Sequence, residues 1–189
     1  NHREIRQQLG KSNWKGFSDT ETILAAVEEW GLENTLKKSV GMFVIALWDY
    51  SENTLQLARD RMGEKPLYYG WQGNFFIFAS EIKALQRHPS FEWVINREAL
   101  QLYVRNGYVP ANLSIYSGIH KLKPGTILTV QRNMIKGEVG EPKSYWCLDK
   151  VIERGKANYK LISPEESVEE LERLLKQAVN RQLISDVPL

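Results

Sequence analysis

Asp19 stands in Ser18-Asp19-Thr20-Glu21, where the sequence starts a helix, and a carboxylate placed there can do two kinds of chemistry. It can favour the positive end of the helix dipole, worth about 0.3 to 1 kcal/mol. It can also hold an ammonium group through a charge-assisted hydrogen bond, which supplies direction as well as attraction. A second charged run, Arg59-Asp60-Arg61-Met62-Gly63-Glu64-Lys65-Pro66, fills a turn between two apolar segments. Glycine there permits positive φ and proline fixes φ while withholding an N–H, so the turn is tightly specified. Its charges suit a buried salt bridge that fixes the turn better than they suit direct substrate contact. Glu81 and Lys83 would tie the following helix to the same loop.

The remaining reactive side chains offer less. His2, His88 and His120 are far apart with no metal-ligand spacing and read as surface polar residues. Cys147 is the one cysteine, and without a neighbouring base its thiol stays protonated, so it reads as a packed thiol beside Trp146. Glu165, Glu166, Glu169, Glu170 and Glu172 crowd one helix as a solvated face. No catalytic residue and no metal ligand is assigned on this basis.

The elements that must position these groups follow from caps and periodicity. Ser18 can accept from the Glu21 N–H and the Glu21 side chain can reach back to the Ser18 N–H, the pattern of a capping box. Ile23, Leu24, Val27 and Trp30 then recur at helical spacing before Gly31. Residues 42–49 are apolar on both alternating sets, which predicts a strand covered on both faces. Thr54 to Arg59, Leu67 to Trp71 and Asn74 to Ala79 follow as closely spaced strands, favouring an antiparallel meander. Covering the double-faced strand by helices on one side and a second sheet on the other implies helix, sheet, sheet and helix layers.

Further on, Ser80 to Arg87 suggests a short helix, and Asn96 caps a helix from Arg97 to Asn106 that Gly107 closes. Lys123-Pro124-Gly125 turns the chain into a half-buried strand from Thr126 to Gln131, and the polar, glycine-containing stretch from Asn133 to Gly140 is expected to form a surface hairpin or loop. Asp149 to Leu161 has weak periodicity and reads as a linker open to disorder. Ser163-Pro164-Glu165-Glu166 starts a helix expected to end near Ile184, with Val168, Leu171, Leu174, Leu175, Ala178 and Val179 on one face.

With 189 residues, 42% of them hydrophobic and 25% charged, the chain has the composition of about one soluble globular domain plus part of another. No stretch reaches membrane-spanning length, so no membrane partner is expected. A net charge of +2 provides no field for nucleic acid. One cysteine rules out an intrachain disulfide framework and fits a reducing, cytoplasmic setting. Asn1 to Arg6 begins as a charged helical run without a start signal, and Val187-Pro188-Leu189 looks like the opening of a strand, so the chain reads as a fragment of a longer protein.

Taken in order, Asn1-His2, Ser18 to Glu21, Gly41 to Asp49, Arg59 to Tyr69, Ala79 to Leu85, Gly107 to Pro110, Lys123 to Gly125, Tyr145-Trp146 and Ser185 to Leu189 resemble the glutamine-hydrolysing asparagine synthetases, within the class II glutamine amidotransferases. Val44-Ile45 and Glu64 are mild departures. The resemblance covers nearly the whole chain. It implies an α+β fold, an incomplete N-terminal nucleophile hydrolase αββα sandwich with mostly antiparallel sheets, plus a C-terminal helix. The implied division is a glutaminase domain over residues 1–146, a linker over 147–162 and the start of an ATP-dependent synthetase domain over 163–189.

It further implies a full-length enzyme that hydrolyses glutamine and uses the ammonia to amidate aspartate activated by ATP and magnesium, as a homodimer. In such enzymes an N-terminal cysteine thiol attacks the glutamine amide and an oxyanion hole stabilises the intermediate. Those groups would precede Asn1 and the ATP loop would follow Leu189, so the fragment alone is expected to be inactive and to bind no cofactor. The matching position implies that Asp19 binds the α-ammonium of glutamine. A different acceptor on the same fold, or a noncatalytic docking descendant, are the alternatives.

Overall fold

The computed structural model describes residues 1–11, 13–110, 112–158 and 163–183. They fall into two compact units, one of residues 1–41 with the described residues from 147 onward, the other of residues 42–146.

In the first unit three helices lead the chain: α1 (His2–Leu9), α2 (Asp19–Trp30) and α3 (Leu32–Lys38). Ile5, Ala26 and Leu36 are each at most 1% exposed, and this apolar set holds the helices together. The Asn1 side chain stitches the far end, accepting from the Val40 N–H at 2.7 Å and donating to the Lys38 carbonyl at 3.1 Å. Gly31, at φ 76°, ends α2 and opens α3 in a single residue.

Two further helices belong to this unit. Leu148–Ala157 forms α6, where a linker without regular structure was expected. Asp149 in its first turn and Arg154 and Lys156 in its last complement the helix dipole, which favours a helix that buries no residue. The rest of that linker, residues 159–162, lies outside the described residues. Pro164–Gln182 forms α7 with the full capping box: the Ser163 hydroxyl accepts from the Glu166 N–H at 3.1 Å and the Glu166 carboxylate from the Ser163 N–H at 2.9 Å. Its expected end at Ile184 is also outside the described residues, and its apolar stripe is exposed, Leu171 by 57% and Leu174 by 46%.

Among its described residues the second unit holds seven strands and two helices, β1 (Val44–Asp49), β2 (Thr54–Arg59), β3 (Tyr68–Gln72), β4 (Phe75–Ala79), α4 (Ile82–Leu85), α5 (Arg97–Asn106), β5 (Ile119–Lys121), β6 (Thr126–Gln131) and β7 (Lys143–Ser144). The strands form two antiparallel sheets, in orders β1-β2-β6-β7 and β4-β3-β5. The expected meander is therefore replaced by two hairpins in different sheets, because β2 finds its second partner in β6, with Leu57 opposite Leu128, and not in β3. The α+β class with antiparallel sheets is as anticipated.

Leu57, Leu128 and Val130 of one sheet meet Leu67, Tyr69 and Leu122 beside the other in a shared core. On the opposite side of the three-stranded sheet, Leu85 of α4 packs with Phe91 and Ile119. β1 does not behave as the fully covered strand expected: Ala46 and Trp48 are exposed. It is an edge strand, paired with β2 among the described residues, and two-sided burial passes instead to β2 and β6, where Ala58 and Ile127 are covered as well as Leu57 and Leu128. The polar loop after β6 is anchored by the Trp71 indole N–H, which donates to the Glu138 carbonyl at 2.8 Å.

Candidate functional site

Asp19 is the first residue of α2 and is exposed. The capping work is done next door: Ser18 Oγ accepts from the Glu21 N–H at 3.2 Å. The Asp19 carboxylate is therefore not needed as the cap. Its hydrogen bond among the described residues is a long one, 3.4 Å from Thr20 Oγ1. It stands at the positive end of the helix with oxygens open to solvent, a geometry suited to receiving a cation.

What fixes this helix start is Arg6, a residue the sequence reasoning missed. Its guanidinium donates to the Gly16 carbonyl at 2.8 Å, to Thr22 Oγ1 at 3.0 Å and to the Ser18 carbonyl at 3.4 Å, and pairs with Glu21 at 3.4 Å. It also lies 4.2 Å from the centre of the Trp14 ring, within cation–π range. One side chain thus clamps both sides of the segment leading into Asp19. An arginine fifteen residues from its carboxylate partner leaves no local pattern to read.

Glu21 corrects the expected capping box. Its carboxylate turns away from Ser18 and accepts from the Lys15 N–H at 2.7 Å and the Gly16 N–H at 3.0 Å. Those amides exist as orphan donors only because the incoming segment curls over the helix start, and a carboxylate satisfies two of them at once. The Lys15 N–H foremost, with the Gly16 N–H and the Arg6 charge, holds the Glu21 carboxyl below the ordinary glutamate range.

An open groove of about 560 Å³ runs beside this segment, lined by His2, Arg3, Arg6, Lys11, Trp14 and Phe17. Phe17, two residues before Asp19, is 94% exposed. Asp19 itself stands outside the lining.

The charged turn after β2 is structural, and its two buried charges bond to the main chain around them. Arg59 is 6% exposed and Asp60 1%. Arg59 donates to the carbonyls of Lys65 at 2.7 Å, Leu122 at 2.6 Å and Gly63 at 2.5 Å. Asp60 accepts from the N–H groups of Glu64 at 2.9 Å and Lys65 at 3.0 Å. A tight loop crossing between sheets strands many main-chain donors and acceptors, and Arg59 and Asp60 are turned to them. Burial lowers the Arg59 pKa, opposed by the adjacent Asp60. The Tyr145 hydroxyl closes the knot on the Arg59 carbonyl at 2.8 Å. Neither Arg59 nor Asp60 retains an open face for a substrate. Glu81 and Lys83 are exposed at the start of α4, and among the described residues no side-chain hydrogen bond or ion pair ties them to this loop.

The histidines stay dispersed. His88 packs on Phe75 with ring centres 4.9 Å apart, and His120 sits beside Tyr69 at 5.7 Å. Among the described residues no group of three or more histidine, cysteine, aspartate or glutamate side chains is placed to hold a metal ion. Cys147 is partly buried at the start of α6. No helix among the described residues is long and apolar enough to cross a membrane.

The family model of the glutamine amidotransferase domain matches residues 1–146. The chain belongs to this family. Over its full length this amidotransferase chain is 30% identical to asparagine synthetase [glutamine-hydrolyzing] 3 of Bacillus subtilis (strain 168), covering 29% of it. It is 34% identical to asparagine synthetase [glutamine-hydrolyzing] 2 of the same organism, over 99% of the chain and 25% of the relative. Amidase chyE of Penicillium rubens is 31% identical over 100% of the chain and 26% of its own length. The chain thus spans between 25% and 29% of these relatives. Among solved structures, glutamine phosphoribosylpyrophosphate amidotransferase from B. subtilis, complexed with ADP and GMP, aligns with 74% of the chain and 26% of its own, at 20% identity and a TM-score of 0.48.

Proposed function

We propose that the chain is the distal part of the glutaminase domain of an asparagine synthetase, over residues 1–146, followed by a linker at 147–162 and the start of a synthetase domain from 163. In this reading the full-length protein hydrolyses glutamine and passes the ammonia to aspartate activated by ATP with magnesium, giving asparagine, glutamate, AMP and pyrophosphate. It works in the cytoplasm, as a homodimer. No residue of this chain is assigned as nucleophile, metal ligand or ATP contact, so the chain alone would not turn over glutamine.

The observation that carries the reading is the Asp19 carboxylate, spared from capping by Ser18 and held at the helix start by the Arg6 clamp. Asp19 grips the α-ammonium of glutamine. A hydrogen bond to a charged group contributes about 1.5 to 3 kcal/mol, a factor of roughly 10 to 100 in binding. Asp19→Asn in the full-length protein therefore raises the KM for glutamine by about tenfold or more and leaves synthesis from free ammonia intact. Equal loss of both activities would overturn the assignment.

A second reading keeps the glutamine chemistry and changes the acceptor. The similarity to an amidase favours it, since that relative matches the whole chain about as well as the synthetases do. Assaying the full-length protein for asparagine formation from aspartate separates the two.

A further inference from the structure

Helix α5, within the unit of residues 42–146, is apolar on two sides. Ala99 is fully buried and Leu102 half-buried, while Leu100, Tyr103 and Val104, at the i, i+3, i+4 spacing of one helical face, are exposed by 43%, 49% and 77%. The exposed stripe continues onto the segment ahead of the helix. Ile95 and Leu100 hold the positions of a hydrophobic staple around the Asn96 cap, and Ile95 is itself 43% exposed. Trp93 sets its ring edge-on to Tyr116 at 6.0 Å and to the core residue Phe91 at 5.2 Å. The main chain beside it is fixed by the Asn96 N–H donating to the Ile115 carbonyl at 2.9 Å and the Ser117 N–H to the Val94 carbonyl at 2.8 Å. Trp93 is therefore a rigid ring, and 63% of it faces solvent.

The size of this patch decides what can cover it. With about 150 to 250 Å² for a whole aromatic side chain, the exposed parts of Trp93 and Tyr103 come to roughly 200 to 300 Å², and Ile95, Leu100 and Val104 bring the total to about 500 Å². A protein that stays monomeric rarely leaves more than a few hundred Å² of continuous apolar surface open. About 500 Å² is instead the apolar centre of an interface of ordinary size, about 800 Å² per partner. Arg97 and Gln101, beside the stripe on α5, supply the polar rim. No charged side chain interrupts the five apolar ones, which is the composition of a homodimer centre rather than of a passing contact.

We infer that this face pairs with the same face of a second copy of the chain, about a two-fold axis that crosses α5 between Leu100 and Val104. Such pairing requires a surface that complements itself. Val104, the most exposed of the five, stands at one end of the stripe, and the half-covered Ile95 and Leu100 stand at the other. The axis sets the projecting end of each copy against the recessed end of its mate. It also lays the two α5 helices antiparallel, with each positive N-terminal end beside a negative C-terminal end. The inference rests on the homodimer of the proposed function and says which face builds it, independently of the glutamine chemistry.

Analytical ultracentrifugation of the full-length protein tests this. A dimer is expected, its dissociation constant raised about a hundredfold or more by Val104→Asp, because the two-fold axis makes one substitution bury two unpaired carboxylates. Circular dichroism should show that variant folded, since the site is open to solvent in a single copy. Tyr103→Cys, near the axis, should join two subunits through a disulfide under mild oxidation, and Tyr50→Cys, exposed at the β1–β2 turn, should not. A full-length protein that is monomeric at every concentration would overturn the inference together with the homodimer of the proposed function. A dimer that survives Val104→Asp unchanged, or that cross-links through Tyr50→Cys as readily as through Tyr103→Cys, would overturn the assignment of this face and leave that homodimer standing.

Discussion

Glu21 illustrates how one side chain can fix the path of the chain that presents its neighbour. By accepting two amide protons from the segment ahead of α2 and pairing with Arg6, it fixes the path that presents Asp19. The sign of its pH dependence follows from its depressed pKa: the contribution is present above the unfolded glutamate value of about 4.3 and is lost as pH falls through the lower folded value. Amide shifts of Lys15 and Gly16 in an NMR titration should therefore move with a midpoint below about 4.3, and Glu21→Gln should abolish the step. A midpoint at or above that value would contradict the arrangement. Asp19 and its Ser18 cap were legible because everything that defines them lies within four residues. Arg6 was not, because a guanidinium that binds carbonyls across a loop has no periodic signature.

Strands and caps were legible for the same local reason, and their pairing was not. Ser18, Asn96 and Ser163 each accept the amide expected of a cap, and β2, β3, β4 and β6 lie where alternation placed them. The division into two sheets depends on β6 returning to β2 from far along the chain, which no short window records. α6 was missed because dipole-complementing charges, and not an apolar core face, sustain it. One element-level contact can be tested directly. Gly70 in β3 lies so close to β5 that a Cβ added there would collide with the Gly118 carbonyl oxygen. Both groups are backbone, held by sheet pairing, so neither can swing aside. Gly70→Ala should lower stability by at least about 1 to 3 kcal/mol, the usual cost of overpacking, seen as an earlier urea midpoint. An unchanged midpoint would show that the strands separate freely.

Across the molecule, the Arg59 knot is where distant parts of the chain converge. Its partners come from Gly63, Lys65 and Leu122, while Tyr145 reaches back to the Arg59 carbonyl and the Gly125 N–H to that of Asp60. Bringing positions 59, 122 and 145 together requires large loops to close, an entropic cost met before any bond is gained. The hairpins β1-β2 and β3-β4 need no such closure. The knot should therefore be absent from the rate-limiting ensemble and act as a latch on the finished protein. In a chevron experiment, Arg59→Lys should accelerate unfolding by about tenfold or more while leaving the refolding limb nearly where it was. A loss confined to refolding would place the latch at the beginning of assembly. The wild-type arrangement thereby grants this domain a long native lifetime, a kinetic protection set by a single guanidinium.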